Sequence, residues 1–255
     1  YMMQITTMGY INVAGTVNAS WQTNVYGNGM ISLAQGAKFN TGALHLTGKD
    51  YSGRDNTDTD RVGKPATIVV DGATFNVGSV KSDNGSDYSY NSKEGINVGT
   101  IEGKLALLDV KNGGAVNFYM ANGQTTNFGA GATVNVAAST LKTICRDENG
   151  TVTLANAGVV NVTGASNLNI KNFTGNAINA TNTTLADVQL GGAVNAFGTN
   201  NTSGTSVIGG ILSLGYGTNP TEQVVVNITG NFNGGNVLVS TNNGVDNILN
   251  VGKAD

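Results

Sequence analysis

Asp55, Asp58 and Asp60 crowd one short stretch of the chain, and Asp83 and Asp87 flank Asn84-Gly85 in another. Closely spaced carboxylates are what a hard cation such as calcium requires, because it takes several oxygens at once. Neither stretch has the full spacing of an EF-hand loop. The expectation is therefore no cofactor, with calcium on Asp55, Asp58 and Asp60 as the alternative. Tyr51, Arg54, Asp83, Asp87, Tyr88 and Tyr90 join aromatic rings to charges in the same two stretches. Such a mixture suits contact with a glycan or a protein surface, and these six are the candidate ligand-binding residues.

Catalytic chemistry has less to work with. His45 is the only histidine, so a histidine-based metal cluster is excluded. It lies in Ala43-Leu44-His45-Leu46, an alternation that sets it opposite to the leucines and toward solvent. No nucleophile-elbow motif accompanies it, and no phosphate-binding G-x-x-x-x-G-K-[ST] occurs. Polysaccharide-cleaving enzymes need paired carboxylates, yet Asp71, Asp109 and Asp187 stand apart along the chain. Cys145 has no companion, which excludes a disulfide framework and makes it a partly buried structural thiol. The expectation is a chain without catalytic residues.

Most charges lie outside any strand pattern. Of the 29 charged residues, 18 fall between Lys49 and Lys111. Residues 49–64 and 81–95 are polar and turn-rich, and they read as two loops inserted into a single domain spanning 1–255. Function commonly sits on loops held by a rigid scaffold. The net charge of −3 and the scattered Lys and Arg give no footprint for nucleic acid. No apolar run is long enough to span a membrane as a helix.

The elements that must hold these loops follow from composition. The 255 residues include 37 Gly, 36 Asn and 30 Thr, types that range from middling to poor as helix formers. Val, Ile and Thr are abundant, so the class is all-β with many tight turns. A short motif repeats seven times: two small residues, any residue, Val or Phe, then Asn. Its asparagines are Asn18, Asn40, Asn76, Asn117, Asn135, Asn161 and Asn195, separated by 22, 36, 41, 18, 26 and 34 residues. A repeat of about 20 residues carrying insertions fits these spacings and is the mark of a solenoid. The Val or Phe points inward. The Asn is expected at a corner, where it tolerates a left-handed backbone and bonds to the Asn one turn above. At about 22 residues per turn and ~4.8 Å between strands, the coil would have about 11 irregular rungs and a length near ~50 Å. One stretch departs from the pattern. Residues 139–148 place Leu141, Ile144 and Cys145 at helical spacing, and read as a short helix or as a loop leaving the coil.

Runs such as Gly131-Ala132-Thr133-Val134-Asn135-Val136 and Gly158-Val159-Val160-Asn161-Val162-Thr163-Gly164 resemble the passenger regions of bacterial autotransporters and related filamentous adhesins. The resemblance implies a right-handed parallel β-helix displayed on the bacterial outer surface or secreted. It implies a non-catalytic role in adhesion or cell-surface structure. The expected partners are a host or neighbouring-cell glycan or protein, or further copies of the chain. Two alternatives come from other classes: a self-assembling filament or surface-layer subunit, and a carbohydrate-active β-helix enzyme.

Overall fold

In the computed structural model the described residues are 3–49, 65–78, 80–81, 87–88, 99–102, 106–147, 150, 152–164, 166–170, 173–175, 178–180, 184–190, 197–198, 205–214, 225–228, 231–239 and 248–251. The chain runs through β1 (Ile5–Thr7), β2 (Tyr10–Val13), β3 (Thr16–Tyr26), β4 (Met30–Leu33), β5 (Lys38–Thr47), β6 (Ala66–Asp71), β7 (Thr74–Val77), β8 (Val80–Lys81), β9 (Asp87–Tyr88) and β10 (Gly99–Glu102). It continues through β11 (Ala106–Lys111), β12 (Ala115–Met120), β13 (Thr125–Phe128), β14 (Ala132–Ala137), β15 (Thr140–Cys145), β16 (Thr153–Asn156), β17 (Val159–Thr163), β18 (Ser166–Ile170), β19 (Phe173–Gly175) and β20 (Ile178–Ala180). The last strands are β21 (Thr184–Leu190), β22 (Phe197–Gly198), β23 (Thr205–Leu214), β24 (Val225–Ile228), β25 (Asn231–Val239) and β26 (Ile248–Val251).

These strands pair in parallel, each with the strand one turn before and one turn after it. An 8-stranded sheet runs β2-β4-β6-β11-β14-β17-β20-β22, and β24 pairs with β26. A 14-stranded sheet has two arms that part at β5, whose first half pairs with β7 and whose second half pairs with β10. The order is that of a β-solenoid with three faces, visited in turn. Only the short β8–β9 pair is antiparallel among the described strands.

Alternation builds the core. On β11, β12 and β14 every second residue is buried and its neighbours are half-exposed. Stacking then places inward residues in columns. Ile11, Ile31, Ile68, Leu108, Val134, Val160 and Ile178 are in register along the 8-stranded sheet. Val17, Phe39, Phe75, Val116, Leu141 and Leu168 do the same on one arm of the larger sheet. Phe39 and Phe75 meet edge to face with centroids 5.6 Å apart, a favoured ring geometry. Each such side chain contributes about 1.5–3 kcal/mol by leaving water. Polar residues turned inward bond to one another, as where Thr23 Oγ1 donates to Thr41 Oγ1 and that hydroxyl donates to the Ala43 carbonyl.

Residues 139–148 correct the sequence expectation, since Thr140–Cys145 is strand β15, paired along its whole length with β12. Leu141 and Thr143 face inward and are buried, while Lys142 and Ile144 do not. A polar residue inside and an apolar one outside hide the period of two, and the stack above and below overrides the local helical spacing. Strands on either side of residues 49–64 and 81–95 pair with one another. Pairing is in register across each: Met30 through Leu33 with Thr67 through Val70, and Leu44 through Thr47 with Gly99 through Glu102. The strands before and after these residues therefore keep the parallel register of the rest of the coil.

Corners carry the backbone strain. Gly72, Asn112, Ala138 and Gly164 all have positive φ, between 48° and 68°, and each follows a strand of the 8-stranded sheet. At the bend inside β5, a Cβ on Gly42 would lie 2.5 Å from the Trp21 carbonyl oxygen and 2.9 Å from that of Ser20. Gly42→Val should therefore cost about 1–3 kcal/mol by overpacking. Gly15→Ala, with nothing within 4 Å of the new atom, should leave the midpoint of urea unfolding in place. Ala138→Gly should raise stability by about 1 kcal/mol, because Ala is strained in that backbone region.

Candidate functional site

The repeat asparagines are placed by the strands and not by the corners. Asn18, Asn40, Asn76 and Asn117 occupy the outward position after the Val or Phe of the motif, in register on β3, β5, β7 and β12. Asn40 Nδ2 donates to Asn18 Oδ1 at 2.7 Å, Asn76 to Asn40 at 2.8 Å, and Asn117 to Asn76 at 2.9 Å. Every donor points the same way along the stack. Asn40 and Asn76 are only 8% and 7% exposed, so each bond forms away from bulk water, where an unmade bond is costly. The register position after Asn117 is Lys142, followed by Asn169.

The other repeat asparagines belong elsewhere. Asn135 and Asn161 sit on β14 and β17 of the 8-stranded sheet, where Asn161 Nδ2 donates to Asn135 Oδ1 at 3.0 Å. One motif therefore makes ladders on two different faces. Asn195 lies outside the described residues. The left-handed corner expected for these asparagines belongs instead to Asn112, which the motif does not include.

Beside the ladders stand two smaller polar groups. On the third face Gln22 Nε2 donates to Asn24 Oδ1 at 2.7 Å, and Asn24 Nδ2 donates to Thr6 Oγ1 at 3.2 Å. His45 is in register with Asn24 and Thr100. Its ring meets Tyr26 edge-on at 5.6 Å, and it is half-buried between the buried Leu44 and Leu46, as its alternation predicts. On the 8-stranded sheet, Lys111 Nζ lies 3.8 Å from Asp71 Oδ2 and 3.9 Å from Asp109 Oδ2. Asn112 Nδ2 donates to Asp71 Oδ1 at 2.7 Å.

The expectation that Asp71 and Asp109 stand apart is thus overturned. Stacking brings them around one ammonium across a separation of 38 residues. Only knowledge of the register, Lys111 opposite Asp71, could have found this group. Lys111 shares its charge between both carboxylates on a partly exposed surface, where such pairs contribute about 0–1 kcal/mol. A carboxylate pair suited to acid–base work has its members in contrasting environments, and these two share the same cation.

Of the predicted binding residues, Asp87 and Tyr88 form β9, opposite Lys81 and Val80 of β8. β8 lies against β3 and β5. Tyr51, Arg54, Asp83 and Tyr90, and the proposed calcium ligands Asp55, Asp58 and Asp60, lie outside the described residues. Among the described residues no three His, Cys, Asp or Glu are grouped to hold a metal ion. Cys145 is half-buried and free at the end of β15. No helix among them is long and apolar enough to cross a membrane. No family model matches the chain, and no curated protein or solved structure matches it either.

The Asn rows tie strand to strand, and their contribution can be measured. Asn76→Ala removes a donor and an acceptor from the middle of a buried row, and should cost about 1–3 kcal/mol in urea unfolding. Asn18→Ala, at the exposed end, should cost under about 1 kcal/mol because water replaces the lost partner.

Proposed function

We propose that the chain is a non-catalytic β-solenoid of the autotransporter-passenger or filamentous-adhesin type, displayed at the cell surface or secreted, where it mediates adhesion. The observation that carries this reading is the unbroken pairing across residues 49–64 and 81–95. A coil that closes without its insertions is a support, and the insertions are what it presents. They hold 13 of the 29 charged residues together with Tyr51, Tyr88 and Tyr90. Rings beside charges suit a glycan or protein on a host or neighbouring cell, bound through several weak contacts.

The enzyme reading loses support from the same face. Asp71 and Asp109 are close enough to act together, but Lys111 lies between them as a counter-ion to both.

The test compares the whole chain with a variant in which residues 81–95 are replaced by a short Gly-Ser link, on arrays of glycans and cell-surface glycoproteins. Binding should be lost while the β circular dichroism is retained; equal binding by both proteins would reject the assignment to this insertion. The double variant Asp71→Asn, Asp109→Asn should bind like the original. Hydrolysis of a polysaccharide panel that Asp109→Asn abolishes would establish the enzyme reading instead.

A further inference from the structure

We infer that Asn122 is a site of spontaneous covalent modification, where its side-chain amide closes onto the backbone nitrogen of Gly123, loses ammonia and reopens as aspartate or isoaspartate. Asparagine is among the thermolabile residues, and a following glycine shields the attacking nitrogen least because it has no Cβ. Three Asn-Gly pairs stand at corners among the described residues. They are Asn28-Gly29 between β3 and β4, Asn112-Gly113 between β11 and β12, and Asn122-Gly123 between β12 and β13. They share a sequence and differ in how the fold holds the reacting atoms.

The nucleophile is the glycine nitrogen. Gly29 N–H donates to the Tyr26 carbonyl at 2.8 Å, and Gly113 N–H donates to the Ala138 carbonyl at 3.0 Å. Gly123 N–H has no hydrogen-bond partner among the described residues. A bonded nitrogen must give up its partner before it attacks, and a bond left unmade is costly.

Space and the leaving group separate the pairs further. Gly29 is buried, and a Cβ there would lie 2.8 Å from the Thr7 carbonyl oxygen and 3.0 Å from that of Tyr26. Asn112 is exposed, but its Nδ2, the atom that would leave, donates to Asp71 Oδ1 at 2.7 Å. Asn122 and Gly123 are both exposed, and nothing lies within 4 Å of a Cβ on Gly123. Gln124 N–H donates to the Ala121 carbonyl at 3.1 Å, and Ala121 N–H donates to Gln124 Oε1 at 2.8 Å. Gly123 has a φ of 80°, as the third residue of a type II turn requires. Both bonds clamp the flanks of the turn, so the peptide between Asn122 and Gly123 can rotate while they stay made.

Hydroxide takes the proton from Gly123 N, which bonds to Asn122 Cγ. The Cγ–Nδ2 bond breaks, and Nδ2 leaves as ammonia with a proton from water. Water then opens the five-membered imide. Attack at Cγ gives aspartate, and attack at the main-chain carbonyl gives isoaspartate, whose chain runs through Cβ and Cγ. Either product carries a new carboxylate, and nothing is oxidised or reduced. A Cβ on Gly150, one turn further on, would lie 3.1 Å from Asn122 Cβ and 3.1 Å from Asp147 Cβ. The new charge therefore stands near Asp147, and like charges on neighbouring turns repel.

The inference does not depend on what the chain binds. The whole folded chain is incubated at neutral and mildly alkaline pH, and each asparagine is followed by peptide mass spectrometry with fragment sequencing. Asn122 should convert several-fold faster than Asn28 and Asn112, and faster at the higher pH because Gly123 N must lose its proton. In urea the three pairs should convert at similar rates. Asn122→Gln would need a six-membered ring and should lose the reaction at this corner. Conversion of Asn28 or Asn112 as fast as Asn122 in the folded chain would overturn the inference. An Asn122 that converts in urea but not in the folded chain would overturn it too.

Discussion

In a parallel stack each side chain meets its counterpart on the next turn at about 4.8 Å, so a column must be filled by residues that tolerate their own kind. Branched aliphatic and aromatic side chains meet this condition in the interior. Asparagine meets it on the outside, since one amide carries both a donor and an acceptor. Like charges directly opposite one another repel, and a column of lysines or aspartates is therefore excluded. This accounts for the 11% charge content better than a general preference for neutral surfaces does. Charges that enter the coil stand opposite neutral residues, as Lys142 does between Asn117 and Asn169, or meet the opposite sign, as Lys111 does at Asp71 and Asp109.

The same constraint separates scaffold from insertion. Residues 49–64 and 81–95 lack the repeat motif and hold 13 of the 29 charged residues, with Tyr51, Tyr88 and Tyr90 among them. The antiparallel β8–β9 pair belongs to this second regime. Its first strand, β8, lies against β3 and β5.

How much of this was legible in the sequence depends on whether a feature is local or belongs to a column. Val160 and Asn161 alternate locally, so strand, inward residue and ladder residue could be read directly. The three-residue alternation around His45 gave its orientation for the same reason. Thr140–Cys145 could not be read, because Thr143 is held inside and Ile144 outside by neighbouring turns and not by its own pattern. The meeting of Asp71, Lys111 and Asn112 was illegible because insertions make the spacing between successive turns irregular. The motif asparagines looked like one row, yet Asn117 and Asn135 lie on different faces. A motif 18 residues on had passed over β13 to the face beyond it, and sequence spacing alone does not distinguish a whole turn from part of one.

The ladder also gives the stack a direction. Asn40 donates to Asn18, Asn76 to Asn40, Asn117 to Asn76, and on another face Asn161 donates to Asn135. All four amides point their N–H groups toward the first turn, so the dipoles add along the axis and each bond polarises the next. Asn18 accepts from Asn40 and leaves its own N–H groups on the far side. The register position after Asn117 is Lys142, and a lysine can only donate. A row whose amides all give their N–H groups toward the first turn leaves its oxygens toward the later ones, so a residue that can only donate suits the place where the row stops.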